Sequence, residues 1–119
     1  MRLSSQDHGP VTVLTIEEPR FDANHAETFR DQVRELVGKG PDIYVIDLSH
    51  VVFIDSSGVG ALVGLLKFVG REKRLELCGL TPTVHKVFKL TRLDTVFIIS
   101  DSVRACLRSH GAEIARAAG

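Results

Sequence analysis

The hydrophobic pattern along the chain changes period several times. Residues 11–16 (VTVLTI) are apolar and β-branched, follow the turn cluster Asp7, His8, Gly9 and Pro10, and predict a strand. A shorter strand over residues 2–5 is placed to pair with it as a hairpin. From residue 23 to residue 38 the period becomes helical. Ala26, Phe29, Val33 and then Leu36 or Val37 recur every three or four positions, with Glu27, Arg30, Asp31 and Arg34 on the other side. Asn24 is the expected N-cap of this helix, and Gly38 and Gly40 stop it. Residues 43–48 (IYVIDL) form the continuous apolar run of a strand covered on both faces. The remainder alternates: helix 56–71, strand 74–80, helix 82–90, strand 95–99, and a closing helix over 101–117 with Val103, Cys106, Leu107 and Ile114 on its buried stripe. Such alternation predicts an α/β domain, its later strands paired in parallel through right-handed crossovers.

Length and charge narrow the picture. The 119 residues fit one domain spanning the whole chain, with no repeat, linker or low-complexity tract. Fifteen Lys and Arg balance fifteen Asp and Glu, so no basic excess grips a phosphate backbone or an anionic lipid surface. Neither direct nucleic-acid binding nor membrane binding is expected. The longest apolar run, residues 59–69, is interrupted by Gly60, Gly64 and Lys67 and is too short to span a bilayer. Cys78 and Cys106 belong to no disulfide framework and read as core residues of a protein in a reducing cytoplasm. The polar start of the chain carries no signal-peptide pattern.

The stretch with most chemical content is residues 53–66, FIDSSGVGALVGLL, which runs from a strand through Asp-Ser-Ser-Gly into a helix. If Asp55 or Ser56 supplies the capping oxygen, Ser57 falls in the first turn, where backbone amides lack helical partners and the helix dipole is positive. A phosphoserine there, with a charge of about −1.5 to −2, is tolerated by those amides. Gly58 lets a phosphate or a docking protein come close. The same residues also serve simply to start a helix. Behind them the helix is apolar on both sides: Val59, Val63 and Leu66 on one, Ala61, Leu62, Leu65 and Val69 on the other. The side turned from the sheet is either covered by another element or docks a partner.

Catalysis finds little footing. The chain has no G-x-S-x-G elbow, no G-x-x-x-x-G-K-[ST] loop and no G-x-G-x-x-G after a strand, and His50 is the one histidine near Ser57 in sequence. No cofactor is expected. His8, His25, His50, His85 and His110 contain no i, i+4 pair, so no metal is expected either. Lys67, Arg71, Lys73 and Arg74 form a basic cluster at the end of the central helix, read as a solvated face or as the contact for an acidic patch on a partner.

The segment Ile54-Asp55-Ser56-Ser57-Gly58-Val59-Gly60 resembles the signature of the STAS domain, specifically of the stand-alone bacterial anti-sigma factor antagonists. The likeness extends to Phe21-Asp22, to Val45-Ile46-Asp47-Leu48, and to Val87-Phe88-Lys89-Leu90 through Leu93-Asp94 to Val96-Phe97. It departs at Val59, where leucine is commoner, and at Arg92, where glycine is usual. The resemblance implies the STAS fold, a mixed and mostly parallel sheet of about four to five strands with α-helices packed around it. It implies a switch and no enzyme: Ser57 is phosphorylated by an anti-sigma factor that is also a serine kinase, the unphosphorylated form binds that kinase and frees the sigma factor, and a serine phosphatase resets it. Asp22, Asn24, Asp55, Ser56, Ser57, Gly58, Val59 and Val63 then form the partner-binding surface. Local physics alone leaves Ser56 and Ser57 both open as the modified residue, and capping explains Asp22 and Asn24 equally well. Weak homodimerisation stays open. Two other functions remain: a STAS subunit of another assembly, in lipid transport or stress signalling, and a nucleotide-binding STAS domain with its phosphate at the helix start near Ser57.

Overall fold

The computed structural model describes residues 1–38, 40 and 42–111. Strands β1 (Leu3–His8) and β2 (Val11–Ile16) form an antiparallel hairpin, with Leu3 opposite Ile16 and His8 opposite Val11. Gly9 takes a φ of 64° in the tight turn between them, a conformation that glycine adopts without steric cost. Next come β3 (Arg20–Phe21), α1 (Ala23–Val37), β4 (Ile43–Asp47), β5 (Phe53–Ile54) and α2 (Ser56–Val69). The chain continues through β6 (Arg74–Cys78), α3 (Pro82–Leu90), a 3-10 turn (Leu93–Thr95), β7 (Ile98–Ser100) and α4 (Val103–Ser109). The five longer strands make one mixed sheet in the order β1-β2-β4-β6-β7, parallel except for the first pair, as the α/β pattern predicts.

Alternation along the strands sorts side chains onto two faces. Leu14, Ile16, Tyr44, Ile46, Leu75 and Leu77 pack on one face against Phe29 and Val33 of α1, Leu62 and Leu65 of α2, and Val84 and Phe88 of α3. Phe21 meets Phe29 edge-on at 4.9 Å between ring centres, and Phe88 lies 5.9 Å from Phe97. Burying each such ring contributes about 1.5–3 kcal/mol, so this layer dominates the stability. The other face is smaller: Val11, Val13, Val45 and Cys78 lie under Cys106 and Leu107 of α4.

Several boundaries differ from the sequence expectation, beginning with the first strand, which runs over Leu3–His8 instead of 2–5 and takes in Asp7 and His8 of the expected turn cluster as its pairing with β2 continues to Val11. Asp22 caps α1 in place of Asn24, whose amide instead donates to Asp22 Oδ1 at 3.1 Å. The cause is a second, two-stranded parallel sheet: β3 pairs with β5, so the chain is still extended at Asp22 and turns helical one residue later. Strand β6 stops at Cys78, because Gly79 turns away with a φ of 69°. The last strand runs over Ile98–Ser100 and not 95–99, since the amides of Val96 and Phe97 both donate back to the Leu93 carbonyl. α4 extends to Ser109; Ile114 and the rest of the expected closing helix lie outside the described residues. Among the described residues, no helix is long and apolar enough to cross a membrane.

Candidate functional site

The chain leaves β5 extended at Asp55 and enters α2 at Ser56. Asp55 Oδ1 accepts from the amides of Ser57 at 2.9 Å and Gly58 at 3.0 Å, so Asp55 is the cap and Ser57 is the second residue of the helix. Asp55 Oδ2 accepts from the amide of Ala23 at 3.3 Å, the first residue of α1. One carboxylate therefore ties two helix starts together. These bonds, led by that from Gly58, outweigh partial desolvation and hold the Asp55 carboxyl below the usual range.

That arrangement corrects the expectation of open amides around Ser57: the Asp55 carboxylate already fills two of them. Ser56 is exposed and Ser57 half-buried. No described residue exchanges a hydrogen bond with either hydroxyl. Gly58 is buried, and a Cβ on it would collide with the Phe21 carbonyl oxygen and lie 2.9 Å from Ile54 Cγ1. Its missing side chain serves the close packing of α2 on β3, and no outside molecule reaches that space. Val59 and Val63 are half-buried against the main core, and α1 runs along the flank of α2. Outward-facing positions on α2 are Ser56, Gly60, Lys67 and Phe68, with open space where a Cβ on Gly60 or Gly64 would stand. Near Ser57 the outer face is thus bare backbone more than apolar side chain, while its far end carries the half-exposed Phe68 ring beside Arg34.

Asp22 and Asn24 stand at the start of α1, the first buried and the second exposed. Besides capping, Asp22 Oδ2 lies 3.3 Å from Arg20 Nε, and its Oδ1 lies 3.7 Å from His25 Nδ1. The Arg20 guanidinium stacks 4.0 Å from the centre of the Phe53 ring, a cation–π contact. Val52 beside Phe53 is 56% exposed, leaving an apolar edge next to the signature. Sequence reasoning missed Arg20, His25, Val52 and Phe53. Arg20 alone had a local signal, since in an extended chain it shares a side with Asp22.

Other residues fall where packing sends them. The basic cluster divides: Lys73 Nζ donates to the Gly40 carbonyl at 3.2 Å and stands 3.7 Å from Asp42, while Arg74 pairs with Glu76 at 3.1 Å. Arg92 has a φ of 60°, the left-handed conformation that explains the usual glycine there, and is the one non-glycine residue with positive φ among those described. Holding a side chain in that region costs about 1–2 kcal/mol. His50 is exposed and makes no hydrogen bond to Ser57.

Comparison with known proteins agrees with this geometry. A family model described as the STAS domain matches residues 2–106. A STAS-domain containing protein of Pseudomonas aeruginosa (strain UCBPP-PA14) is 35% identical over 89 residues, covering 73% of this chain and 87% of that protein. The anti-sigma F factor antagonist of Paenibacillus polymyxa is 22% identical over 104 residues, 86% of this chain and 88% of its own length. The crystal structure of an anti-sigma factor antagonist from Mycobacterium paratuberculosis superposes with a TM-score of 0.82 at 25% identity, over 91% of this chain and 92% of that one. With a match that takes in the hairpin, both capped helix starts, the whole sheet and the first residues of α4 to Cys106, this chain belongs to the STAS-domain family.

Proposed function

We propose that this chain is an anti-sigma factor antagonist that works as a phosphorylation-controlled binding switch. The observation that carries the proposal is the placement of Ser57. Its half-buried, unbonded hydroxyl sits in the first turn of α2, where Asp55 joins two helix starts beside exposed Ser56 and Val52. In the unphosphorylated state, an anti-sigma factor with serine kinase activity docks on this surface and releases its sigma factor. Asn24, Ser56 and the bare outer stripe at Gly60 are the parts it reaches most directly. Transfer of the γ-phosphoryl group of ATP to Ser57 Oγ releases ADP and the hydroxyl proton; a serine phosphatase reverses the change with water. The setting is cytoplasmic, where sigma factors act.

The added charge of about −1.5 to −2 falls in a turn that already holds the Asp55 carboxylate, with Asp22 at the adjoining helix start. In a docked interface it meets desolvation and like-charge repulsion, so a loss of about a hundredfold in affinity needs no refolding. A nucleotide phosphate at the same helix start has weaker support, because Asp55 fills two of the amides that would receive it.

The experiment combines phosphorylation and binding. Incubated with a cognate serine kinase and ATP, the chain should gain one phosphate by intact mass, lost in Ser57→Ala and kept in Ser56→Ala. By calorimetric titration Ser57→Ala should bind the kinase like the parent, and Ser57→Asp about a hundredfold more weakly. Modification at Ser56, or loss of binding in Ser57→Ala, overturns the proposal.

A further inference from the structure

On the sheet face turned away from Ser57, strand β6 carries Glu76, a residue only 1% exposed among Val45, Cys78 and Leu107. A carboxylate in such surroundings needs close partners. Its Oε2 lies 2.9 Å from His110 Nε2 and 3.1 Å from an Arg74 guanidinium nitrogen, and its Oε1 lies 3.6 Å from Cys106 Sγ. Cys106 and His110 are four positions apart, the spacing that brings two side chains to one side of a helix, at the end of α4. One oxygen, one sulfur and one nitrogen donor thus lie within 4.8 Å of one another.

We propose that Glu76, Cys106 and His110 form a binding site for Zn2+ that clasps α4 to the central sheet. Tetrahedral zinc, with bonds of about 2.0–2.1 Å to oxygen and nitrogen and about 2.3 Å to sulfur, holds its donors about 3.3–3.6 Å apart. His110 Nε2 lies 2.9 Å from Glu76 Oε2 and Cys106 Sγ 3.6 Å from Glu76 Oε1, with the three donors within 4.8 Å of one another, so side-chain rotations that draw the sulfur and the nitrogen around one carboxylate oxygen bring the set into that range. The donor set selects the metal: calcium and magnesium demand oxygen ligands, whereas a thiolate with an imidazole and a carboxylate suits zinc. Charge closes as well. Cys106 enters as S–H and its proton leaves to solvent as the Zn–S bond forms, while the neutral His110 ring shifts its proton from Nε2 to Nδ1 so that Nε2 can bind the metal. Carboxylate and thiolate then balance the two positive charges of the ion, with no oxidation or reduction. Arg74, whose side chain is 57% exposed, turns out to water as the metal takes over neutralising Glu76. A water molecule completes the fourth position.

The test uses the full chain after treatment with a chelator. Titration with Co2+ should produce a sulfur-to-cobalt charge-transfer band at one metal per chain, and Zn2+ should displace it and raise the thermal midpoint. Cys78→Ser, at the neighbouring buried thiol, should retain the band, and Cys106→Ser should lose it. His110→Gln, at the solvent-side end of the cluster, should weaken Zn2+ binding more than about tenfold and abolish the thermal shift. If Cys106→Ser fails to fold, His110→Gln decides alone. Absence of the band in the parent chain, its loss in Cys78→Ser, or an unchanged zinc affinity in His110→Gln overturns the site. None of these readouts depends on Ser57 or on a kinase.

Discussion

One face of the sheet lies under three helices and a continuous layer of apolar side chains from Leu14 to Phe97. Among the described residues, the other lies under the seven residues of α4 and holds Glu76, Asp47 and both cysteines beside a few valines. The thick face secures the fold, and it is also the face on which Asp22 and Asp55 fix two helix starts against each other. The thin face has less apolar area to lose and depends on polar contacts between α4 and β6. Of the three buried carboxylates among the described residues, Asp47 and Glu76 lie where hydrophobic packing is shallow, and Asp22 caps α1 where it is deep.

Substitutions can break or sharpen that contrast. Phe29→Ala on the thick face should cost about 3–5 kcal/mol, and Leu107→Ala on the thin face about 2–3 kcal/mol, measured by urea unfolding. Equal losses would mean that α4 carries as much of the fold as α1, and the contrast would fail. Gly58→Ala should cost about 1–3 kcal/mol, because the new methyl meets the Phe21 carbonyl and Ile54. The same change at Gly60 meets open space and should leave stability unchanged or slightly raised. The smallest effect is acid sensitivity at Asp55. Its folded carboxyl titrates below the ordinary value of about 4, so its contribution is complete above that value and is lost as pH falls through the depressed one. Asp55→Asn should therefore flatten the acid limb of the thermal midpoint against pH; an unchanged slope would show that the cap bonds do not form in solution.

Much of this was legible from the chain. The β2 and β4 runs, the helix over Pro82–Leu90 and the Asp-Ser-Ser-Gly start of α2 are local patterns, and local patterns survive folding. What escaped was set by distant contacts. β3 and β5 are two residues each, too short to show a period, yet their pairing shifts the cap of α1 from Asn24 to Asp22 and brings Arg20 over Phe53. Thr95 to Phe97 read as strand by composition, but Phe97 turns inward onto Phe88 through the 3-10 turn. Glu76 and Cys106 lie 30 residues apart, and a search for paired histidines passes over the Cys106–His110 spacing.

The double use of the Asp55 carboxylate bears on how the proposed signal at Ser57 would be read. Two of the amides that would otherwise reward a phosphate are already occupied, and the carboxylate that fills them is anchored to Ala23. In the proposed switch, a phosphate on Ser57 would find two of the nearby amides already taken, so its message would be written mainly on the outside, legible to a visitor more than to the chain that bears it.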